Sequence, residues 1–333
     1  MTEKISVVGA GAWGTALAML LADKGRTVTL WMYEKDLAEE TARIRENRVY
    51  LPGFTLPAPI TVTSSLETAI KGAEIILSVV PSHTVRAVTT QYAPFLASNA
   101  IIISASKGIE IDTLMPLSEV FKDVLPKEFH NRLCFLSGPS FAKEVARKMP
   151  TAITLASYDP ALGKKAQEVL SNSYFRVYTN PDVMGVELAG SLKNVVAIAA
   201  GVLEGMGYGY NTMAALLTRW LAEMARLGTA MGGSMQTFSG LAGMGDLVLT
   251  CTGGLSRNRT LGTRLGKGET LDAIMNNAKT VAEGVKTAKA ARELARRYDV
   301  DMPIVDEVYQ LLYECKDPKR TVQDLMTREL KAE

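Results

Sequence analysis

The chain has 333 residues, 47% of them hydrophobic and 22% charged, which is enough for about two domains that each bury a core. Lys and Arg total 37 against 35 Asp and Glu, with no run of like charge at either end, so the footprint of a nucleic-acid binder is absent and small molecules are the expected partners. No signal-length leader and no apolar run near the roughly 20 residues of a bilayer span is visible, and Cys134, Cys251 and Cys315 lack disulfide-framework or zinc spacing, so a cytoplasmic chain without metal is expected.

From the N-terminus to about residue 180, short β-branched runs alternate with helix-length segments. The runs are Ile5 to Val8, Thr27 to Trp31, Ile60 to Thr63, Ile75 to Val80, Ile101 to Ala105, Leu133 to Leu136, Ala152 to Ala156 and Phe175 to Tyr178. Several are apolar throughout, as strands buried on both faces are, which predicts a parallel sheet in a doubly wound α/β domain of Rossmann type over residues 1–180. After Asn180 and Pro181 the pattern turns to long segments rich in Ala, Leu, Met, Glu and Arg, such as Thr212 to Leu227 and Val281 to Tyr298. Residues 181–333 are therefore expected to form an all-helical substrate or catalytic domain.

Gly9-Ala10-Gly11-Ala12-Trp13-Gly14 follows the first strand and opens a helix, Thr15 to Asp23, closed by Gly25. Gly9 suits the tight turn, Gly11 the approach of a pyrophosphate, and Gly14 close packing of helix on strand, while the helix N-terminus offers unpaired N–H groups. The second strand runs out at Tyr33 and Glu34, and Glu34 lies 20 residues after Gly14, where a carboxylate accepts from an adenosine ribose diol. The predicted ligand is NAD or NADP. Glu34 repels a 2′-phosphate and leans the choice to NAD, whereas Lys35 and Arg43 are close enough in sequence to pair with one.

Ligands of open α/β sheets bind beyond the carboxyl ends of the strands, which draws attention to Lys107 in Ser104-Ala105-Ser106-Lys107-Gly108. The alternative for Lys107 is a solvated loop lysine. His83 sits at the equivalent end of the preceding strand, although Ser82 also reads as a helix N-cap with His83 in the first turn. Lys193 is the only charge between Leu188 and Leu203, so it is either desolvated, with its ammonium form disfavoured and useful for acid–base work, or it snorkels to the helix flank. Glu187 and Asn194, seven residues apart, share a helix face and are expected to form a polar groove beside it. From Gly240 to Arg259 runs a glycine-rich stretch in which Asp246 is placed to pair with a lysine, and Ser256, Arg257 and Asn258 suit a phosphate oxyanion. The alternative there is a connection with a capping aspartate and a solvated turn.

Taken together, GAGAWGTALA, SASKGIE, LSGPSFAKEVA, ELAGSLKNVVAIAAG, GLAGMGDLVLTCTGGLSRNRTLG and VAEGVKTA resemble the bacterial type of the NAD(P)-dependent sn-glycerol-3-phosphate dehydrogenase family, essentially end to end. The resemblance implies that Lys193 transfers the proton, that Lys107 contacts substrate and cofactor, and that Asp246 supports the catalytic lysine. It further implies substrate contacts from Gly138, Ser140, Thr250, Ser256, Arg257 and Asn258. Cofactor contacts follow for Gly9, Gly11, Ala12, Trp13, Gly14, Tyr33, Glu34, Ala142, Arg257, Val281 and Glu283. Tyr33 departs from a common bacterial pattern, in which a basic residue or His sits there, and this bears on the preference for NADP. The family is usually a homodimer feeding glycerophospholipid synthesis. Two rivals remain at this stage: a related reductase of another hydroxy acid or ketoacid, and a non-catalytic NADH sensor, which needs the glycine fingerprint but neither Lys193 nor the Ser-Arg-Asn segment.

Overall fold

The computed structural model describes residues 3–276, 282–330 and 332. Contacts divide the chain into two compact units, Met1–Glu110 with Met115–Glu187, and Ile111–Leu114 with Leu188–Glu333.

The first unit contains strands β1 Ile5–Val8, β2 Val28–Trp31, β3 Ile60–Thr63, β4 Ile75–Ser78, β5 Ile101–Ser104, β6 Leu133–Ser137, β7 Thr151–Ser157 and β8 Phe175–Asn180. Helices α1 Ala12–Asp23, α2 Lys35–Ile44, α3 Leu66–Ile70, α4 Val85–Tyr92, α5 Leu117–Val124, α6 Ala142–Ala146 and α7 Pro160–Leu170 alternate with them. All eight anticipated strands are present, with ends shifted by one or two residues. They lie in one sheet ordered β3-β2-β1-β4-β5-β6-β7-β8, whose direction of growth reverses between β1 and β4. Every residue of β1, β2, β4 and β5 is buried, which is why their sequences do not alternate. Burying Ile5, Val7 and Val8 alone contributes about 1.5–3 kcal/mol each, before the entropy of ordering the chain is subtracted.

The expectation of a parallel sheet fails at one place, for β6 and β7 pair antiparallel. Residues 138–150 connect the two strands, and the helix within that connection is the five-residue α6.

The regular elements among the second unit's described residues are helices. Its elements are α8 Val183–Gly205, which begins in the first unit, α9 Tyr210–Ala230, α10 Met235–Phe238, a π-helical turn Leu241–Gly245, α11 Asp246–Thr252, α12 Arg257–Gly266, α13 Leu271–Asn276, α14 Glu283–Arg297, α15 Pro303–Tyr313 and α16 Pro318–Met326. By length and composition α8 is apolar enough to cross a membrane, which corrects the reading that no stretch approaches span length. However, 89% of its most apolar window is buried inside the protein, so it is a core helix.

α8 and α12 touch backbone to backbone. A Cβ added to Gly201 or Gly262 would lie 2.0 Å from the carbonyl oxygen of Arg259 or Ile198, and one added to Gly205 or Gly266 would lie 2.3 Å from that of Thr263 or Val202. None of these obstacles is a side chain that can turn away. Gly262→Ala is therefore expected to cost about 1–3 kcal/mol of stability, read as a lower denaturant midpoint. An unshifted midpoint would show that the two helices separate easily.

Candidate functional site

At the end of β1 the three glycines separate into distinct roles. Gly9 has φ +112°, and a Cβ there would meet the Val79 carbonyl oxygen at 2.6 Å. Gly14 lies so close to Gly9 that its Cβ would stand 1.8 Å from the Gly9 carbonyl oxygen. Around Gly11, in contrast, a Cβ meets no protein atom within 4 Å, so the space it leaves is not used by the protein's own packing. Gly11 begins α1 with no side-chain cap and no acidic residue in the first turn, leaving amides at the positive end of the helix dipole. These features fit a pyrophosphate.

Glu34 ends the β2 connection and precedes α2 without capping it. Its Oε1 accepts from the Tyr50 hydroxyl at 2.9 Å, and this carboxylate pushes the phenol pKa up. Tyr33 is 80% exposed and meets Trp31 edge-on. Lys35 stands 4.0 Å from Glu39 in an exposed pair one helical turn along. The fingerprint is braced by Asn47, whose fully buried Nδ2 donates to the Ala10 carbonyl at 2.8 Å and the Thr15 hydroxyl at 2.9 Å.

Beyond the carboxyl ends of β5 and β6, Lys107, Gly138 and Ser140 meet. Lys107 Nζ donates to the Gly138 carbonyl at 3.3 Å and the Ser140 hydroxyl donates to the same oxygen at 3.2 Å. Gly138 turns with φ +146°, and a Cβ there would press on Ile153 at 3.0 Å. Ala142 opens α6, which packs on α1. His83 stays exposed in a 3-10 turn over Ser82–Thr84 that begins after Pro81. Ser82 is thus not an N-cap; it fills the space that Gly108 leaves open, where a Cβ would come within 2.4 Å of the serine.

The second unit holds a buried ion pair. Lys193 is 8% exposed and Asp246 1%, and Lys193 Nζ donates to Asp246 Oδ1 at 2.5 Å and to Thr250 Oγ1 at 2.7 Å. The amine is desolvated, and snorkelling does not occur. Asp246 and Thr250 stand one turn apart on the same face of α11. The π-helical turn sets where α11 starts: the Gly245 amide donates to the Gly240 carbonyl at 3.1 Å, and Gly243 passes so close to Phe238 that a Cβ would lie 2.0 Å from its carbonyl oxygen. The neighbouring Cys251 thiol is pushed up to about 12 by burial, which makes it an inert core residue.

Ser256 caps α12, its hydroxyl accepting from the Arg259 amide at 3.3 Å, and Arg257 follows as an exposed first helical residue. Asn258 is turned inward: its Nδ2 donates to Asn194 Oδ1 at 3.0 Å, and its Oδ1 accepts from the Gly284 amide at 2.9 Å. One carboxamide thereby ties α8, α12 and the start of α14, next to Glu283. Of the candidate cofactor residues, Val281 lies outside the described residues. Among the described residues no cluster of His, Cys, Asp and Glu is arranged to hold a metal ion.

Two family models divide the chain between them. Residues 4–163 match the NAD-dependent glycerol-3-phosphate dehydrogenase N-terminus, and residues 182–323 match the C-terminus of the same family. The chain belongs to the NAD-dependent glycerol-3-phosphate dehydrogenase family. It is 55% identical over 333 residues to a glycerol-3-phosphate dehydrogenase (NAD(P)+) of Geobacter sp. (strain M21), covering 100% of this chain and 99% of that protein. The crystal structure of glycerol-3-phosphate dehydrogenase from Coxiella burnetii superposes with a TM-score of 0.93 at 39% identity, covering 98% and 99% of the two chains. A ketopantoate reductase from Ralstonia eutropha shares the fold at a TM-score of 0.62 and 14% identity. The α/β unit followed by a helical unit is thus the family's architecture.

Glu187 and Asn194, expected to share a polar groove, have different hydrogen-bond partners. Asn194 turns to Asn258, whereas Glu187 Oε1 accepts from the Ser118 amide at the start of α5, at 2.9 Å. A spacing of seven residues shares a helix face but does not decide which neighbour each end of a 23-residue helix meets. Tyr50 and Asn47 were not singled out by the sequence, because they sit in a connection with no motif.

Burial pushes the Glu187 carboxyl up to about 8 from its ordinary 4.5. Below the ordinary value both folded and unfolded chains keep the proton, and the stabilising contribution is complete. Between about pH 5 and 8 the unfolded chain ionises first, so stability falls as pH rises through the folded value. Glu187→Gln, which cannot ionise, is expected to lose less stability than wild type across that window in urea unfolding. Parallel pH profiles would remove Glu187 as the titrating group.

Proposed function

We propose that the chain is an oxidoreductase that interconverts dihydroxyacetone phosphate and sn-glycerol 3-phosphate with NAD(P)(H). Support comes from relatives of this activity at 55% identity over the full length, and from one feature of the site: an ammonium group in an apolar helix, buried against a carboxylate and a hydroxyl. The reading takes the chain to be cytoplasmic and a homodimer, supplying glycerol 3-phosphate for glycerophospholipid synthesis.

When bound, the reduced nicotinamide supplies the hydride that a ketone carbon takes up. Gly9, Gly11, Ala12, Trp13 and Gly14 would hold the pyrophosphate on the α1 N-terminus, Glu34 the adenosine ribose, with Tyr33, Ala142, Val281 and Glu283 as further contacts. The tilt to NAD rests on Glu34, with Lys35 and Arg43 the cations near in sequence that a 2′-phosphate would pair with. Protonated Lys193 gives its proton to the carbonyl oxygen as negative charge develops there, and takes one back in the reverse direction. Asp246 stabilises the ammonium form that burial alone would disfavour, and Thr250 fixes the Nζ position as a second acceptor. Lys107, Gly138 and Ser140 contact the substrate, and Ser256, Arg257 and Asn258 grip its phosphate. Binding energy from the phosphate then orients the carbonyl. The reading assigns residues 1–180 to the dinucleotide and 181–333 to substrate and catalysis, whereas the compact units divide between Glu187 and Leu188.

Lys193→Ala is expected to lower turnover by about 10²–10⁴ while dinucleotide binding persists, measured by nicotinamide absorbance and by calorimetry. An unchanged turnover number would take Lys193 out of the mechanism. The substrate itself is tested by mixing the protein with dihydroxyacetone phosphate and NADH or NADPH. Equal or faster rates on unphosphorylated ketones would favour a reductase of another hydroxy acid or ketoacid.

A further inference from the structure

We propose that Tyr50 is a positioning residue that sets the choice between NAD and NADP, by pinning the Glu34 carboxylate where it accepts from a ribose diol and stands against a 2′-phosphate. This rests on the reading that the β1–α1 turn holds the dinucleotide.

Glu34 is exposed and makes no capping bond to α2, so nothing in its own helix restrains the side chain. Its restraint comes from the Tyr50 hydroxyl, which donates to Oε1 at 2.9 Å. That bond consumes one acceptor position and leaves the carboxylate's other lone pairs for a diol. A loose glutamate can swing aside to admit a 2′-phosphate; one tethered to a phenol keeps its charge in place. Tyr50 is itself anchored. Its amide donates to Asn47 Oδ1 at 3.1 Å, and the same asparagine's Nδ2 reaches the carbonyl of Ala10, between Gly9 and Gly11. Hydrogen bonds at its backbone and at its hydroxyl thus make Tyr50 the link between the phosphate turn and the ribose acid. Tyr33, the residue before Glu34, contributes no charge.

The test is calorimetric and needs no turnover. The intact protein is titrated with ADP-ribose and with 2′-phospho-ADP-ribose, as wild type, Tyr50→Phe, Glu34→Gln and the double variant. Wild type is expected to favour ADP-ribose, and Tyr50→Phe to reduce that preference about 3- to 10-fold, the net worth of one ordinary solvent-accessible hydrogen bond. In the Glu34→Gln background the same change is expected to move the preference by less than about twofold, since a phenol that acts through the carboxylate has nothing left to hold. A preference that survives in Tyr50→Phe, or an equal loss for both ligands that persists without the carboxylate, overturns the proposal while leaving the dinucleotide site intact. A wild type that favours the 2′-phosphate compound overturns both the proposal and the tilt to NAD, and one that binds neither removes the dinucleotide reading on which both stand.

Discussion

An ammonium group cannot sit inside an apolar helix bundle without a counter-charge, and the second unit is arranged around meeting that demand for Lys193. Removing one partner of such a buried pair costs about 3–5 kcal/mol, because the other charge is left stranded. Asp246 must therefore arrive at one place and angle, and α11 must begin there. The π-helical turn before it, with Gly243 pressed against Phe238, sets that starting point, and Thr250 follows one turn later. Held between the Asp246 carboxylate and the Thr250 hydroxyl, the buried amine has two partners on one face of α11.

Glycines in this chain serve several ends that look identical in a sequence. Where a Cβ would strike a carbonyl, as at Gly14, the residue is small so that the protein can close on itself. At Gly25 and Gly53 there is open space, but a positive φ is what the glycine supplies. Gly11 has open space without a positive φ, beside a helix N-terminus without a side-chain cap, and there the smallness leaves room for a ligand.

Much of the first unit was legible because strands buried on both faces leave unbroken apolar runs, as in Ile101 to Ser104. Lys193 was legible for a related reason, a lone charge in an oily stretch. The direction of β7 was not, since an apolar run reads the same whichever way its strand is laid in the sheet. Tyr50 and Asn47 escaped notice because their significance lies in partners 16 and 37 residues away, at Glu34 and Ala10. Glu187 misled for the opposite reason: its helical spacing was real, but a long helix passes different neighbours along its length.

The seam between α8 and α12 has an evolutionary corollary. Gly201 and Gly205 face Arg259 and Thr263, while Gly262 and Gly266 face Ile198 and Val202, each through a main-chain oxygen. Replacements elsewhere in a core can be compensated by trimming a neighbouring side chain, but an amide skeleton offers nothing to trim. These four sites are consequently closed to gradual drift, and descendants of this chain can alter the joint only by moving both helices at once.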